Sequence, residues 1–413
     1  MNIVVEGRLV DPDFGVEWGQ VEIVEGQIAR VGALGLHPDL KLDQAHLVFP
    51  GFVDVHVHLR QGDEYKEDFQ SGTRAALHGG VTAMLDMPNN PVPPRFEADL
   101  AVKRGLVKDL PVDIDFYLGL GEGTRPSPPH PFYKAFMGPS IGPLFFHDDA
   151  DLEEVVRHYT GQRITFHCED PELLRTHQNA PLHEDQRPPE AEIKAVGTAL
   201  KLAQKHGFFV HVAHLTCLES LLQIEASASP PDESTGLKGV VCESTPHHLY
   251  FDRDNRRGKA HDSFLKMNPP LRTPETRTRL LEAFLAGRID FLSTDHAPHT
   301  VAEKSSSNPS GVPLLDTHGG FVTWLMEQGF SPLQVARHCC ELPGRFMRSR
   351  LGRLQPGYRG HLAILAPAQP WTVRAEELHT KCGWSPFEGE TFPGRVVYTV
   401  ASGRLYREGL EIT

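Results

Sequence analysis

Phe52-Val53-Asp54-Val55-His56-Val57-His58 closes an apolar run that opens at Leu47, and it has the length and composition of a buried strand. Side chains two apart on a strand point the same way. His56 and His58 therefore project together from the strand's carboxyl end, where two imidazoles can share a metal ion. Leu59 and Arg60 follow at once, which sets a fixed positive charge beside that ion. An isolated His-x-His in a chain with 23 histidines is also what chance supplies. Its meaning depends on whether the same pattern recurs.

It does recur. From about residue 50 the chain repeats apolar strand, polar turn and amphipathic helix. The strands expected are Phe52–His58, Thr82–Met87, Asp113–Leu118, Phe132–Met137, Ile164–Cys168, Phe208–His214, Val240–Ser244 and Ile289–Thr294. Helices are expected at Phe69–His78, Leu152–Tyr159, Pro171–His177, Glu190–Lys205, Glu275–Leu285 and Pro332–Cys340, with cap signals at Asp151 and at Asp170-Pro171. Eight strands alternating with helices predict an α/β fold, a (β/α)8 TIM-type barrel. Before and after it lie short β pieces, Asn2–Val5, Gln20–Val24, Ile28–Val31 and Ala45–Phe49, then His361–Leu365 and Arg395–Val400. The two termini are expected to combine into one small β-sandwich domain. Residues 1–49 and 351–413 would form it, and residues 50–350 the barrel. The polar stretch Glu303–Gly311, directly after the last barrel strand, reads either as a mobile lid or as a plain solvated loop.

The chain has 413 residues, 39% apolar, enough for a large core. A net charge of −13 and the absence of a basic cluster exclude a nucleic-acid surface. No run reaches the roughly 18 apolar residues of a membrane span, and the N-terminus lacks the pattern of a signal peptide. Six cysteines without CxxC spacing read as reduced thiols of a cytoplasmic protein.

In such a barrel the chemistry lies at the carboxyl ends of the strands. Those ends hold His56, His58, Asn89, Asn90, Lys134, His167, His214, His247, His248, Asp295 and His299. Each alone could be a core or turn residue. Together they favour a metal site, since histidine and aspartate are zinc ligands and a catalytic zinc keeps a position open for water. His214, nearer its strand end than His211, is the expected ligand of that pair. Lys134 sits in the apolar Phe132–Met137, where an unpaired ammonium is costly. It either snorkels or pairs with Asp148 or Asp149, or, with a lowered pKa, it reacts with carbon dioxide. Asp295 can ligate metal and take a proton from water, and His299 faces substrate.

Asp54-Val55-His56-Val57-His58-Leu59-Arg60 with Met87-Pro88-Asn89 resembles the cyclic amidohydrolases, most closely the dihydroorotase family. So do His167-Cys168-Glu169-Asp170, Thr245-Pro246-His247-His248-Leu249, Asn268-Pro269-Pro270-Leu271-Arg272, Asp295-His296-Ala297-Pro298-His299, and the tail Ser385–Gly389 with Gly394–Val397. The resemblance implies two zinc ions per subunit. His56 and His58 would hold the first, His167 and His214 the second, and Lys134, N6-carboxylated by carbon dioxide, would bridge them. Asp295 would bind the first ion and act as the acid/base. Some relatives use an aspartate in place of the lysine, but Lys134 precedes His167 by 33 residues, close to the lysine-type separation, and Asp148-Asp149 fits better as a loop leading to a helix cap. Arg60, Asn89 and His299 would clamp a substrate carboxylate, and Asn268 would lie on a substrate-contacting loop.

The implied reaction is reversible ring opening of dihydroorotate to N-carbamoyl-aspartate in pyrimidine biosynthesis. A homodimer and association with aspartate transcarbamoylase belong to the same expectation. The alternatives are a hydantoinase, dihydropyrimidinase or allantoinase, and a silent scaffold for that transcarbamoylase. The chain departs from the family pattern at Gln61-Gly62-Asp63, Asn90 and Asp316-Thr317, and none of these removes an expected ligand.

Overall fold

The computed structural model describes residues 2–139, 144–254 and 262–412. The apolar run divides at Gly51, where a Cβ would stand 2.1 Å from Thr82 Oγ1. Leu47–Pro50 pairs antiparallel with Leu362–Ala366, whereas Phe52–Val57 pairs parallel with Val81–Asp86. One run of sequence thus feeds two sheets.

The second sheet is the barrel. Phe52–Val57, Val81–Asp86, Asp113–Phe116 (continued by Leu118–Gly119), Tyr133–Phe136, Arg163–His167, Phe209–Val212, Val240–Ser244 and Phe291–Leu292 pair in parallel, in chain order. A parallel bridge between Val57 and His296 closes the ring. Most expected strands are present, shortened at their ends. The last shrinks to Phe291–Leu292, and Thr294 already turns its N–H to Asp54. Both faces of most of these strands are buried, so they read as continuous apolar runs without alternation; Asp113–Phe116 is part-exposed at its start. Val53, Val55, Ala83, Leu85, Tyr117, Phe132, Val241 and Phe291 fill the interior, and Leu342 and Phe346 plug one end.

The expected helices at Phe69–His78 and Pro171–His177 form as read, and Pro189–His206 and Pro274–Leu285 each begin on a proline. Two expectations need correction. Asp148, not Asp151, caps the helix Asp149–Val156, accepting from Ala150 N and Asp151 N at 2.9 Å. The expected helix Pro332–Cys340 is α-helical only over Pro332–Val335, π-helical over Ala336–Glu341, and α-helical again from Leu342 to Phe346. Pro343 has no N–H to donate back into that turn, which favours the wider winding. Sequence reading passes over Glu97–Val107, Leu218–Glu225 and His318–Glu327. The last carries Gly319 and Gly320, poor helix formers, kept because a Cβ there would strike Val396 or Phe392.

The termini build one nine-stranded sheet. Its core holds Ile3, Val5, Val21, Ile23, Val48, Ile364 and Val400. It meets the barrel where Asp113 receives Arg359 Nε at 2.8 Å and His361 Nε2 at 3.2 Å. All six cysteines are buried and free. No described helix is long and apolar enough to cross a membrane.

Candidate metal centre and active site

The pairing of Phe52–Val57 with Val81–Asp86 slips between Asp54 and Val57, as one extra residue bulges from the first strand. Before the bulge the odd-numbered Val53 and Val55 face the barrel interior. After it His56 and His58 do, an inversion that simple strand alternation does not give. Asp54 braces the bulge, accepting from His56 N at 3.0 Å and from Thr294 N and Oγ1 at 3.1 and 2.5 Å. Tyr117 Oη donates to the Val55 carbonyl at 3.0 Å. Burial pushes the Asp54 carboxyl up to about 7.

One pocket at the carboxyl ends of the strands gathers His56, His58, Arg60, Asn89, His167, His214, Asn268 and Asp295, with Phe136, Met267, Ala297, Ser310 and Gly311. Asn90, His247 and His248 lie outside it. His248 is held by Thr245 and the Pro269 carbonyl, and His247 is buried on the short helix Pro246–Tyr250. His211 also turns away, with Nδ1 3.0 Å from Thr165 Oγ1 and Nε2 3.3 Å from Glu243.

Within the pocket the ligand atoms lie close together. His56 Nδ1 donates to Glu243 Oε1 at 2.5 Å, a bond to a group that only accepts, so Nε2 carries the lone pair. That Nε2 faces Asp295 Oδ1 at 3.2 Å, and His58 Nε2 stands 3.1 Å from the same oxygen. On the other side His167 Nε2 donates to Glu169 at 2.7 Å, leaving the Nδ1 lone pair 3.0 Å from His214 Nε2. Burial holds all four imidazoles below their ordinary pKa, hence in the neutral ligand form. Nitrogen and carboxylate ligand atoms converging in this way fit a divalent cation, and among the described residues His56, His58 and Asp295 form a metal-sized cluster.

Lys134 lies on Tyr133–Phe136 opposite Thr165, with Phe136 opposite His167. Its side chain is fully buried, and Nζ has no hydrogen-bond partner among the described residues. The expected pairing with Asp148 or Asp149 is not made: Asp148 caps a helix and both residues are exposed. Burial lowers the Lys134 ammonium to about 8 against the opposing pull of Glu243 and Asp295.

The pocket's other end is cationic. Arg60 is 5% exposed, donates from Nε to the Pro298 carbonyl at 3.1 Å, and places Nη2 3.3 Å from His299 Nε2. It makes no ion pair with Glu64 or Glu67. Glu67 instead receives His296 Nε2 at 3.1 Å and Thr380 Oγ1 at 2.6 Å. Asp86 accepts from Leu59 N at 2.8 Å and from Lys103 Nζ at 2.6 Å, which fixes the segment between His58 and Arg60. His299 stays neutral, its pKa lowered to about 2 by burial and by Arg60. Asn268 Oδ1 accepts from Ser310 Oγ at 3.0 Å. Arg60, His214 and Asp295 all have positive φ, at 56°, 36° and 48°. Non-glycine residues hold that strain only where the surroundings over-determine it, as at functional sites.

Sequence reading missed Glu243 and Glu169, the carboxylates that orient His56 and His167. Glu243 lies within the expected strand Val240–Ser244, where a fully buried acid in an apolar run was itself a signal. Glu169 is held in turn by Arg187, whose Nε is 3.0 Å away.

A model of the Amidohydrolase family matches residues 47–127 and 144–406. The chain is 31% identical to the dihydroorotase of Pyrococcus furiosus, with 100% of this chain and 94% of that protein aligned. It is 32% identical to the dihydroorotase of Thermococcus kodakarensis, with 100% and 94% covered, and 31% identical to that of Aquifex aeolicus, with 98% of each covered. Among solved structures it superposes on the L-hydantoinase of Arthrobacter aurescens with a TM-score of 0.88 and 25% identity, over 99% of this chain and 97% of the other. The dihydropyrimidinase of Brevibacillus agri, 20% identical, gives 0.86 over 100% and 96% and speaks for the fold alone. With the metal-ligand cluster at the carboxyl ends of its barrel strands, the chain belongs to the dihydroorotase family of the amidohydrolases.

Proposed function

We propose that this cyclic amidohydrolase interconverts (S)-dihydroorotate and N-carbamoyl-L-aspartate, a step of pyrimidine biosynthesis, at a two-zinc centre. The observation that carries the substrate is Arg60, a buried guanidinium beside the ligand cluster with no carboxylate paired to it among the described residues. A carboxylate on the substrate satisfies it, and the planar fork suits that group.

His56, His58 and Asp295 would hold one ion, His167 and His214 the other, with carboxylated Lys134 between them. Bound zinc supplies a water acidic enough to attack at neutral pH and polarises the amide carbonyl. Asp295 takes the proton of the attacking water on its carboxylate and delivers it to the departing ring nitrogen. Burial raises its proton affinity, which favours the first half of that transfer. Arg60, Asn89 and His299 hold the ring's carboxylate, and Asn268 approaches from the opposite loop. Ring closure runs the same steps in reverse.

Lys134 supports the carboxylation. At about 8 its ammonium gives up a proton near neutrality. The free amine then adds to carbon dioxide, forming an N–C bond and releasing one proton, and the product is an anion beside the neutral imidazoles of His56, His58, His167 and His214. The six free thiols suit the cytoplasm. The same reading extends to a homodimer and to association with aspartate transcarbamoylase, which co-sedimentation with that enzyme tests.

The deciding experiment is a rate panel of dihydroorotate, dihydrouracil, hydantoin and allantoin on zinc-loaded protein. Dihydroorotate is expected to exceed the uncharged rings by about 100-fold in kcat/KM, the scale of one buried charged hydrogen-bond pair. Faster turnover of hydantoin reverses the substrate assignment.

A further inference from the structure

The stretch Glu303–Gly311 is not loop throughout. Its first residues complete the helix Val301–Ser305, whose cap Thr300 is locked by a reciprocal bond with Glu303. Two adjacent side chains of this helix grip three different loops of the pocket. Glu303 Oε1 accepts from Tyr65 Oη at 3.0 Å and pairs with Lys66 Nζ at 3.1 Å, and both partners lie just beyond Arg60. Lys304, 2% exposed, directs its ammonium at three backbone carbonyls, Pro309 at 2.7 Å, Gly311 at 3.2 Å and Lys266 at 3.5 Å. An ammonium carries three donors and no acceptor, so three carbonyls satisfy it.

The segments joined in this way carry the pocket wall that faces the ligand cluster. Met267 and Asn268 follow Lys266, and Ser310 and Gly311 lie within the gripped loop. The wall is stitched further by Gly311 N to Lys266 O at 2.8 Å and by Ser310 Oγ to Asn268 Oδ1 at 3.0 Å. His299 Nε2 stands 3.2 Å from the Ser310 carbonyl, and Trp384 Nε1 donates to the His299 carbonyl at 2.8 Å. Gly311 presses so closely on Ala297 that a Cβ would lie 2.5 Å from its carbonyl oxygen.

We infer that Lys304 is a positioning residue: its ammonium clasps the 266–268 and 309–311 segments together and so sets Asn268 and Ser310 against the substrate. The inference rests on the proposed placement of substrate between Arg60 and this wall. It concerns substrate binding and leaves the ligand cluster alone, because Lys304 touches none of His56, His58, His167, His214 or Asp295. Without the ammonium the Pro309 and Gly311 carbonyls lose a buried partner, and the loop must open to hydrate them.

The test is Lys304→Met, which keeps the stem, beside Lys304→Arg, which keeps the charge. For Lys304→Met the KM for N-carbamoyl-L-aspartate is expected to rise about tenfold or more, with kcat within about threefold and zinc per chain unchanged, the pattern of lost positioning. Lys304→Arg is expected to recover part of that KM. Hydrogen exchange of the 310–312 amides, which needs no substrate, is expected to accelerate about tenfold while the barrel strands keep their protection. Unchanged exchange overturns the clasp whatever the substrate proves to be. Accelerated exchange with an unchanged KM, or an equal loss of zinc and kcat, overturns its role toward substrate. Should Lys304→Met fail to fold, Ser310→Ala severs the link to Asn268 from the far side, and a KM within about twofold of native then overturns the proposal. Native protein inert toward dihydroorotate but active on hydantoin overturns the substrate reading and leaves the exchange result standing.

Discussion

His56 Nδ1 and Glu243 Oε1 stand 2.5 Å apart, with both side chains buried. The carboxylate thereby fixes the tautomer and aims the Nε2 lone pair at Asp295. It also accepts from His214 N at 3.3 Å, so one acid steadies residues on both sides of the centre.

Glu243 should therefore act on metal affinity before it acts on rate. Glu243→Gln keeps the volume and one acceptor and should weaken zinc binding about tenfold; Glu243→Ala should approach 100-fold, the range for partners that orient metal-bound histidines. Competition with a chelator measures it. Native affinity in folded Glu243→Ala would refute the role.

Lys134→Ala removes the group proposed to lie between the ions. Zinc content and activity should both collapse, and short carboxylic acids such as acetate or propionate should restore part of each by occupying the space of the lost carbamate. Rescue by neutral amides of the same size, or undiminished zinc and rate, would leave Lys134 a buried lysine of no consequence to metal. Isotopic labelling with carbon-13 dioxide offers a direct signal in the native protein that the variant should lack.

The barrel and the histidine cluster were legible because each is written locally. Apolar runs of strand length alternate with capped helices, and chemistry-bearing residues sit at the carboxyl ends. The bulge was not legible, since the slip between Asp54 and Val57 depends on Thr294 and Tyr117, far away in sequence. Simple alternation nonetheless placed His56 and His58 on one face, because the bulge lies before them. Glu243 and Glu169 were missed for a related reason: an orienting carboxylate declares itself only once the imidazole it faces is in place. Lys304 read as one polar residue in a polar stretch, and its three carbonyl partners come from two separate segments of chain.

Arg60→Met should separate recognition from catalysis. The KM for a carboxylated ring should rise about 100-fold, corresponding to roughly 2–3 kcal/mol for a charged hydrogen-bond pair, with zinc content unchanged. Arg60→Lys should recover little, because an ammonium lacks the planar fork. Hydantoin, which has no ring carboxylate, supplies the control: a parallel loss on hydantoin would place Arg60 in support of the fold and not of the substrate.

Asp113 couples the barrel to the terminal sheet, and its titration gives that contact a pH signature. Burial raises its carboxyl, but the hydrogen bonds from His361 and Arg359 outweigh burial and hold it below the ordinary range. A carboxylate depressed on folding adds stability that is fully present above its unfolded pKa of about 3.9 and is lost as pH falls below that value. Asp113 is 28% and Arg359 41% exposed, so solvent screens the pair and about 1 kcal/mol is the scale expected. Asp113→Asn should lower the melting temperature by about 1–2 °C at pH 7. The native and variant curves should draw together as pH falls below about 4, where the unfolded chain's carboxyl takes up a proton that the folded one still refuses. A gap that persists unchanged into acid would assign the loss to packing between the two sheets and remove the charge from the explanation.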